Sequence, residues 1–262
     1  METGDALALG AFVGGLAPPV VALLFAAAFA TAILSATIGV AGGITLLAVM
    51  LLFLDPLVAI PLHGVVQLVS NSSRAWMLRP HVRLDVVGRY SILLLPFGAL
   101  GIGLAQSLSP HVLRAAIGVF VLLATWRPQW LLLGARPENV DPHRRFFVLG
   151  GVIGFVNVSI GATGPLLAPF FLNLGLTRFA IIGTQAACQM LGHLSKIVVF
   201  GAAGFAFREW LGLLGLLSIA AVAGTRVGGL LLERVNERVF RALYKGVLTL
   251  IALRLVAAEL LA

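Results

Sequence analysis

The chain has 262 residues, of which 60% are hydrophobic and only 11% charged, and its mean hydropathy is +1.06. A soluble globule would lack the polar residues to cover its surface, and a disordered chain could not leave so much apolar surface in water. What remains is a multi-spanning membrane protein with almost no extramembrane mass; the net charge of +8 lies between hydrophobic segments, where topology signals belong, rather than on one face as nucleic-acid binding requires.

The first residues, Met-Glu-Thr-Gly-Asp, are acidic, which argues against a cleaved signal peptide with a basic start. No charged residue then occurs from Ala6 to Leu54, nor later from Phe146 to Thr177. Each run exceeds the ~20 residues of one helical span, so each contains a second segment. Neither run alternates apolar with polar, so the segments are helices rather than barrel strands. In chain order, apolar segments are predicted near 19–38, 43–54, 57–76, 90–108 and 110–126, then near 146–162, 165–175, 179–200, 209–231 and 240–260. Pro18-Pro19 opens the first, Gly42-Gly43 and Gly164-Pro165 interrupt the long runs, and Asp55-Pro56 and Ser109-Pro110 make turns. The segments 43–54 and 165–175 are too short to cross a core of ~30 Å at ~1.5 Å per residue. They are expected to be half-helices or arms of re-entrant hairpins, two alternatives the sequence leaves open.

The chain is internally duplicated. Ala36-Thr-Ile-Gly39-Val-Ala-Gly42-Gly43 corresponds to Val158-Ser-Ile-Gly161-Ala-Thr-Gly164-Pro165 at an offset of 122, which also relates Gln67 to Gln189, Asn71 to His193, Ser73 to Ser195 and Arg74 to Lys196. Further on the offset is 127, relating Gly101 to Gly228 and Arg114-Ala115 to Arg241-Ala242. Such repeats in a membrane chain indicate a carrier or channel of two related halves. The expected fold is therefore all-α: a polytopic membrane protein with two inverted repeats and roughly eight to ten embedded helical segments, two of them broken or re-entrant. Residues 1–126 form the first repeat, 127–145 a short cytoplasmic linker and 146–262 the second repeat, together one transporter domain. Fourteen of the 18 basic residues fall on one set of connections, including Arg74, Arg79, Arg83 and Arg89, the linker arginines, Arg178, and the group from Arg226 to Lys245; Arg114, Lys196, Arg208 and Arg254 fall on the other. The positive-inside rule puts the rich set in the cytoplasm and both termini outside.

A site is expected near the midplane, where interrupted helices of both halves meet. A helix that starts inside the membrane offers free N–H groups and about half a positive charge to an anion. The candidate binding residues there are Gly42, Gly43, Thr45, Asn157, Ser159, Thr163 and Gly164; against this stands the plainer role of glycine in close helix packing, as at Gly150/Gly154 and Gly224/Gly228. The third segment of each half adds a polar stripe at helical spacing: His63, Gln67, Ser70, Asn71 and Arg74 in one, Gln185, Gln189, His193 and Lys196 in the other. Gln67, Asn71, Gln189 and His193 are candidates for holding an oxyanion, with interhelical hydrogen bonding as the alternative. His63, Arg74 and Lys196 are candidates for coupling or charge. The default for Arg74 and Lys196, late in their segments, is snorkelling to the interface. His63 and His193 suit proton coupling, or structural bonds to backbone.

No carboxylate lies inside a segment core, so a carboxylate-based cation site is disfavoured. Cys188 is the only cysteine, too few for a disulfide or a thiolate metal site, and is expected to be a packing residue. No nucleophile elbow, zinc-protease motif or P-loop occurs. No enzyme activity, cofactor or metal is expected.

These features resemble the sulfite exporter TauE/SafE family, the sulfonate uptake permeases. The resemblance is carried by Gly39-x-x-Gly42-Gly43 and Gly161-x-x-Gly164-Pro165, by Gly98-Ala-x-x-Gly101 and Gly224-Thr-x-x-Gly228, and by Arg114-Ala and Arg241-Ala. It spans about 25–260. It implies a permease of the bacterial or archaeal inner membrane that moves sulfite or organosulfonates by alternating access. Val40-Ala41 and Pro165 depart from the more glycine-rich runs common in the family, making the two half-sites asymmetric. The partners implied are a small anionic substrate, the lipid bilayer and coupled protons; a homodimer stays open and nucleic acid is not expected. Alternatives from other classes are a non-transporting membrane scaffold and a cation or metal permease built on His63 and His193.

Overall fold

The computed structural model describes residues 13–38, 41–171, 174–231 and 237–260. Gly39, Val40 and Arg234, and the side chains of Arg238 and Arg241, lie outside what is described. Among the described residues are eleven α-helices and no strand. The first half contains α1 (Pro18–Ile38), α2 (Ala41–Met50), α3 (Pro56–Met77), α4 (Leu84–Ser91), α5 (Leu94–Ser107) and α6 (Pro110–Trp126). Two 3-10 turns, Pro128–Leu132 and Pro137–Asn139, make up the linker. The second half contains α7 (Pro142–Ser159), α8 (Gly164–Leu167, continued by a 3-10 turn to Phe171), α9 (Arg178–Ala202), α10 (Leu211–Leu231, preceded by a 3-10 turn from Phe207) and α11 (Glu237–Leu260).

The helix starts follow from local chemistry. Asp55-Pro56, Ser109-Pro110 and Asp141-Pro142 each place a capping residue before a proline, whose missing N–H costs nothing in a first turn. Ser109 Oγ accepts from the Val112 amide at 3.3 Å, and Thr177 Oγ1 from Ala180 at 3.3 Å. Asp141 accepts from the amides of His143 and Arg144 at 2.9 and 3.2 Å.

Two of the expected segments differ from what the sequence suggested. The fourth starts at Leu84 and bends by 45° between α4 and α5. Pro96 has no amide to give Ile92 and its ring crowds that carbonyl, so a straight helix cannot pass through. Among the described residues the short segment 165–175 is one α turn and one 3-10 turn, because Pro169 has no amide to give the Pro165 carbonyl.

By length and apolarity alone, Pro18–Thr37 and Phe207–Leu231 can cross a membrane, and α4 with α5 makes a third span if the bent pair acts as one. α3 and α9 are long enough, at 22 and 25 residues, but their polar stripes dilute the hydropathy. α2, with ten residues, reaches only about 15 Å. The outer surface is apolar, with Leu100, Ile219 and Leu250 exposed, while His63, Asn71 and Lys196 are buried. That reversal of a soluble protein's arrangement is what lipid demands.

Helices pair across the halves. α1 packs on α10 and α5 on α7; α3 packs on α9 and α6 on α11; α10 also touches α3, as α5 touches α9. Exchanging each helix for its counterpart returns the same pairs. A Cβ on Gly224 would meet the Phe29 carbonyl and one on Gly228 the Ile33 carbonyl, so α1 and α10 run parallel. Gly150 lies against Tyr90 and Gly154 against Leu94, so α7 runs parallel to the bent pair. Gly64 meets Lys196 while Gly183 meets Leu78, which makes α3 and α9 antiparallel. Arg114 pairs with Glu259 and Trp126 with Thr249, which makes α6 and α11 antiparallel. The offsets recur in space: Gly101 rests on the Phe155 carbonyl, and 127 and 122 residues away Gly228 and Ile33 make the same kind of contact.

A Cβ on Gly154 would lie 2.4 Å from the Leu94 carbonyl oxygen and one on Gly224 2.2 Å from that of Phe29, whereas Gly103 and Gly215 face open space. Gly154→Ala and Gly224→Ala are therefore expected to destabilise by about 1–3 kcal/mol, and Gly103→Ala and Gly215→Ala to be neutral or slightly stabilising, as read by thermal unfolding in detergent. The Arg144 amide, and then that of His143, hold the Asp141 carboxyl below the usual carboxylate range. The lowered value means that the cap contributes fully above the unfolded pKa of about 3.9 and is lost as pH falls through the folded one. Asp141→Asn keeps an acceptor and should flatten that acid-side loss in a series of melting temperatures against pH.

Candidate functional site

The polar stripes of α3 and α9 face each other because the two helices cross antiparallel at Gly64, which has no side chain to hold them apart. A Cβ there would lie 2.9 Å from Lys196 Cε. Both stripes are interior: His63 and Lys196 are 0% exposed, and Gln67, Ser70, Asn71, Arg74, Gln185 and His193 are buried.

A short chain of hydrogen bonds joins the halves at this crossing. His63 Nε2 lies 2.8 Å from the Gly43 carbonyl in the first turn of α2. A carbonyl only accepts, so Nε2 carries the proton and Nδ1 presents its lone pair to Lys196 Nζ, 3.4 Å away. Lys196 Nζ donates as well to the Gly161 carbonyl at 2.7 Å, just beyond the end of α7. Gly161 has φ +96, and a Cβ on it would meet Leu47 of α2 and Ile60 of α3 at 2.9 Å. The interruption of the second half thus lies against helices of the first. His193 joins the group edge-to-face with His63, ring centroids 5.5 Å apart.

Lys196 and Arg74 do not snorkel. Arg74 is 4% exposed and donates to the Ser35 carbonyl, near the end of α1, and to Asn71 Oδ1. Arg178 donates to the Thr37 carbonyl at 3.2 Å. The last turn of a helix leaves carbonyls without backbone donors and a partial negative charge. The buried cations at equivalent positions of α3 and α9 answer this, each at the end of its own half's first helix. None of the ion pairs among the described residues includes Lys196 or Arg74; the four that do occur involve Arg83, His111 and Arg114. The two cations are thus held by neutral groups.

The other candidates fall into three groups. Gly43 belongs to the crossing: a Cβ would sit 3.3 Å from Gln67 Oε1 and 3.8 Å from His63 Nε2. Asn71 Nδ2 donates to the Gln67 carbonyl at 2.8 Å, and Ser70 bonds Thr225 at 3.1 Å in a contact between helices. Gly42 serves packing, since its Cβ position is 1.9 Å from the Thr31 carbonyl, and Ser159 Oγ donates to its own helix at Phe155. Thr45, Thr163 and Gly164 are buried around the interruptions, and α8 behind Gly164 is too short to carry a helix dipole.

The third group has unpartnered atoms. Asn157 Nδ2 donates to the Gly192 carbonyl at 2.9 Å, but among the described residues its Oδ1 finds no partner, nor do Gln189 Nε2, His193 Nδ1, Ser195 Oγ and Arg74 Nε. Buried polar atoms are rarely left so. Tyr90, at the end of α4, is 0% exposed and its hydroxyl is also unpartnered. The space a side chain would fill at Gly192 lies 3.3 Å from Tyr90 Oη and 3.5 Å from Asn157 Nδ2. Tyr90 escaped the sequence reading because the repeat offers no signal there; its only mark is that it is one of two tyrosines in the chain. Tyr90 and Asn157 thus face the same space in front of Gly192.

Tyr90→Phe removes a hydroxyl with no partner among the described residues and should leave the melting temperature in detergent nearly unchanged. Asn157→Ala also loses the bond to Gly192 and should cost about 1–2 kcal/mol. If both variants destabilise equally, Tyr90 Oη has a structural partner.

The family described as Sulfite exporter TauE/SafE matches residues 24–255. No curated protein and no solved structure matches the chain. With all but the ends of the sequence covered, apolar helices outside and polar stripes within, the chain belongs to the sulfite exporter TauE/SafE family of membrane permeases.

Proposed function

We propose that the chain is a secondary transporter of small sulfur oxyanions, sulfite or organosulfonates, binding them near the membrane midplane where α2, α3 and α9 meet. The family carries the reading as far as an exporter-type anion transporter. One observation favours an anion at this location: Lys196 and Arg74 are buried with no carboxylate paired to either among the described residues. Two cations in a low-dielectric interior repel each other and attract an anion. The oxyanion accepts from Lys196 Nζ, with Gln189 Nε2 and the Tyr90 and Ser195 hydroxyls as the further donors, while Arg74, held at the end of α1, adds charge from the other end of the stripe. Gly43, Gln67, Asn71 and Asn157 line the approach.

In this proposal residues 1–126 and 146–262 are inverted repeats joined by a cytoplasmic linker at 127–145, with both termini outside the inner membrane of a bacterial or archaeal cell. The pairing that survives exchange of the halves supports it, as do the parallel α1/α10 and antiparallel α3/α9 contacts. Alternating access then moves one half against the other about the α3–α9 crossing. His63 and His193, in contact with each other and with Lys196, couple protons to the anion. A metal ion at these histidines is disfavoured because an ammonium already faces His63 Nδ1.

The test is flux of labelled sulfite, taurine, sulfoacetate and thiosulfate into proteoliposomes, with and without a pH gradient. The wild-type protein should show saturable flux of at least one. Lys196→Met keeps the volume and removes the charge. It should lower flux roughly a hundredfold or more, and because it also leaves the Gly161 carbonyl and His63 Nδ1 without their partner the melting temperature is expected to fall modestly, so flux is compared at temperatures where the variant is folded. Full flux in Lys196→Met would remove the lysine from the site.

A further inference from the structure

A second site lies away from the α3–α9 crossing, between the linker and α7. A cavity of about 330 Å³ is bounded by Leu131, Val148, Leu149, Val152, Leu166 and Phe170, with Arg136, Arg144 and Arg145 at its polar edge and no carboxylate in its lining. It does not end there. A second groove of about 540 Å³ shares Val148 and Val152 with it and continues along α5 and α7 past Phe97, Leu100 and Phe155. Together they form one path, basic at one end and wholly apolar along the rest.

The three arginines are not equivalent. Arg145 is buried, and its guanidinium donates to the Val140 carbonyl at 2.9 Å and to that of Phe170 at 3.2 Å, so it fastens the linker to the turn after α8. Arg136 and Arg144 are exposed, and among the described residues neither takes part in an ion pair. Beside them the linker turns apolar groups outward: Trp130 is 62% and Leu133 93% exposed, the latter in a left-handed conformation at φ 49. Exposed Trp and Leu beside arginines are what a segment lying in the membrane interface carries.

We propose that this path binds one anionic phospholipid, its phosphate between Arg136 and Arg144 and one acyl chain along α7 past Val148 and Val152. A free phosphate explains the arginines but not the apolar groove that continues from them; a zwitterionic lipid explains the groove but leaves two guanidinium charges uncompensated. Basic pockets between membrane helices next to an anionic leaflet take such headgroups. The lipid would tie the linker to α7 and the bent α4–α5 pair, and so hold the two halves together at that surface.

The experiment uses the full chain purified in detergent and titrated with phosphatidylglycerol, phosphatidylcholine of the same chains, and glycerol 3-phosphate. Native mass spectrometry reads bound lipid, and melting temperature reads its effect. Phosphatidylglycerol should be retained and raise the melting temperature, with the other two bound roughly tenfold or more weakly. The double variant Arg136→Gln, Arg144→Gln should lose the preference for phosphatidylglycerol, yet melt like the wild type without lipid because both side chains are exposed. Val152→Trp, which fills the path, should lose retention of either lipid. Equal binding of the two lipids, an undiminished preference in the double variant, or glycerol 3-phosphate matching the lipid would each overturn the proposal.

Discussion

The arrangement depends on how a buried ammonium is kept inside a membrane protein without a carboxylate. Lys196 is held by a carbonyl at 2.7 Å and faces an imidazole at 3.4 Å. The carbonyl is available because α7 ends at Ser159 and Gly161 lies just beyond its last turn. The imidazole faces the lysine through Nδ1 because its other nitrogen is committed to Gly43 at the start of α2. Removing any one of these breaks leaves the others with unmatched polar groups in a low dielectric. The interrupted helices and the polar stripes are therefore one device. Lys196 is thus held by neutral dipoles alone, with no carboxylate paired to it among the described residues.

The two halves solve this problem in related but unequal ways. Arg74 reaches the end of α1 as Lys196 reaches the end of α7, at positions that the repeat makes equivalent. Arginine, with five donors in a fixed fork, divides itself between Ser35 and Asn71. Lysine, a compact charge on a flexible stem, is the one directed at the histidine pair. The second helices differ more: α2 is a ten-residue helix, while α8 is a single turn limited by Pro169. An anion would thus meet one substantial helix start and one lysine rather than two matching dipoles.

Close packing brings these groups together. The first helix of each half lies against the fourth of the other on glycines, at distances where a methyl group would strike a carbonyl oxygen. In lipid, where no hydrophobic force drives helices together, such contacts carry much of the association energy. Gly64 and Gly192 do the same near the site, letting α9 approach α3 and leaving room in front of Tyr90.

Composition and the uncharged runs were sufficient to specify an all-helical membrane chain, most segment boundaries, and the interior placement of most of both polar stripes, because lipid allows few ways to satisfy backbone and polar groups. Periodicity along one helix also showed that His63, Gln67 and Asn71 share a face. Only the tertiary structure decided which residue meets which. His63 and His193 occupy non-equivalent repeat positions yet are in contact, because antiparallel crossing at Gly64 pairs residues by their sum and not by their offset. Lys196 and Arg74 looked like snorkelling side chains, as their place near helix ends suggests, until the ends of α1 and α7 supplied carbonyls in the interior. Tyr90 joined the site through a bend that Pro96 imposes. Each of these rests on contacts between segments far apart in the chain, which spacing within a segment does not encode.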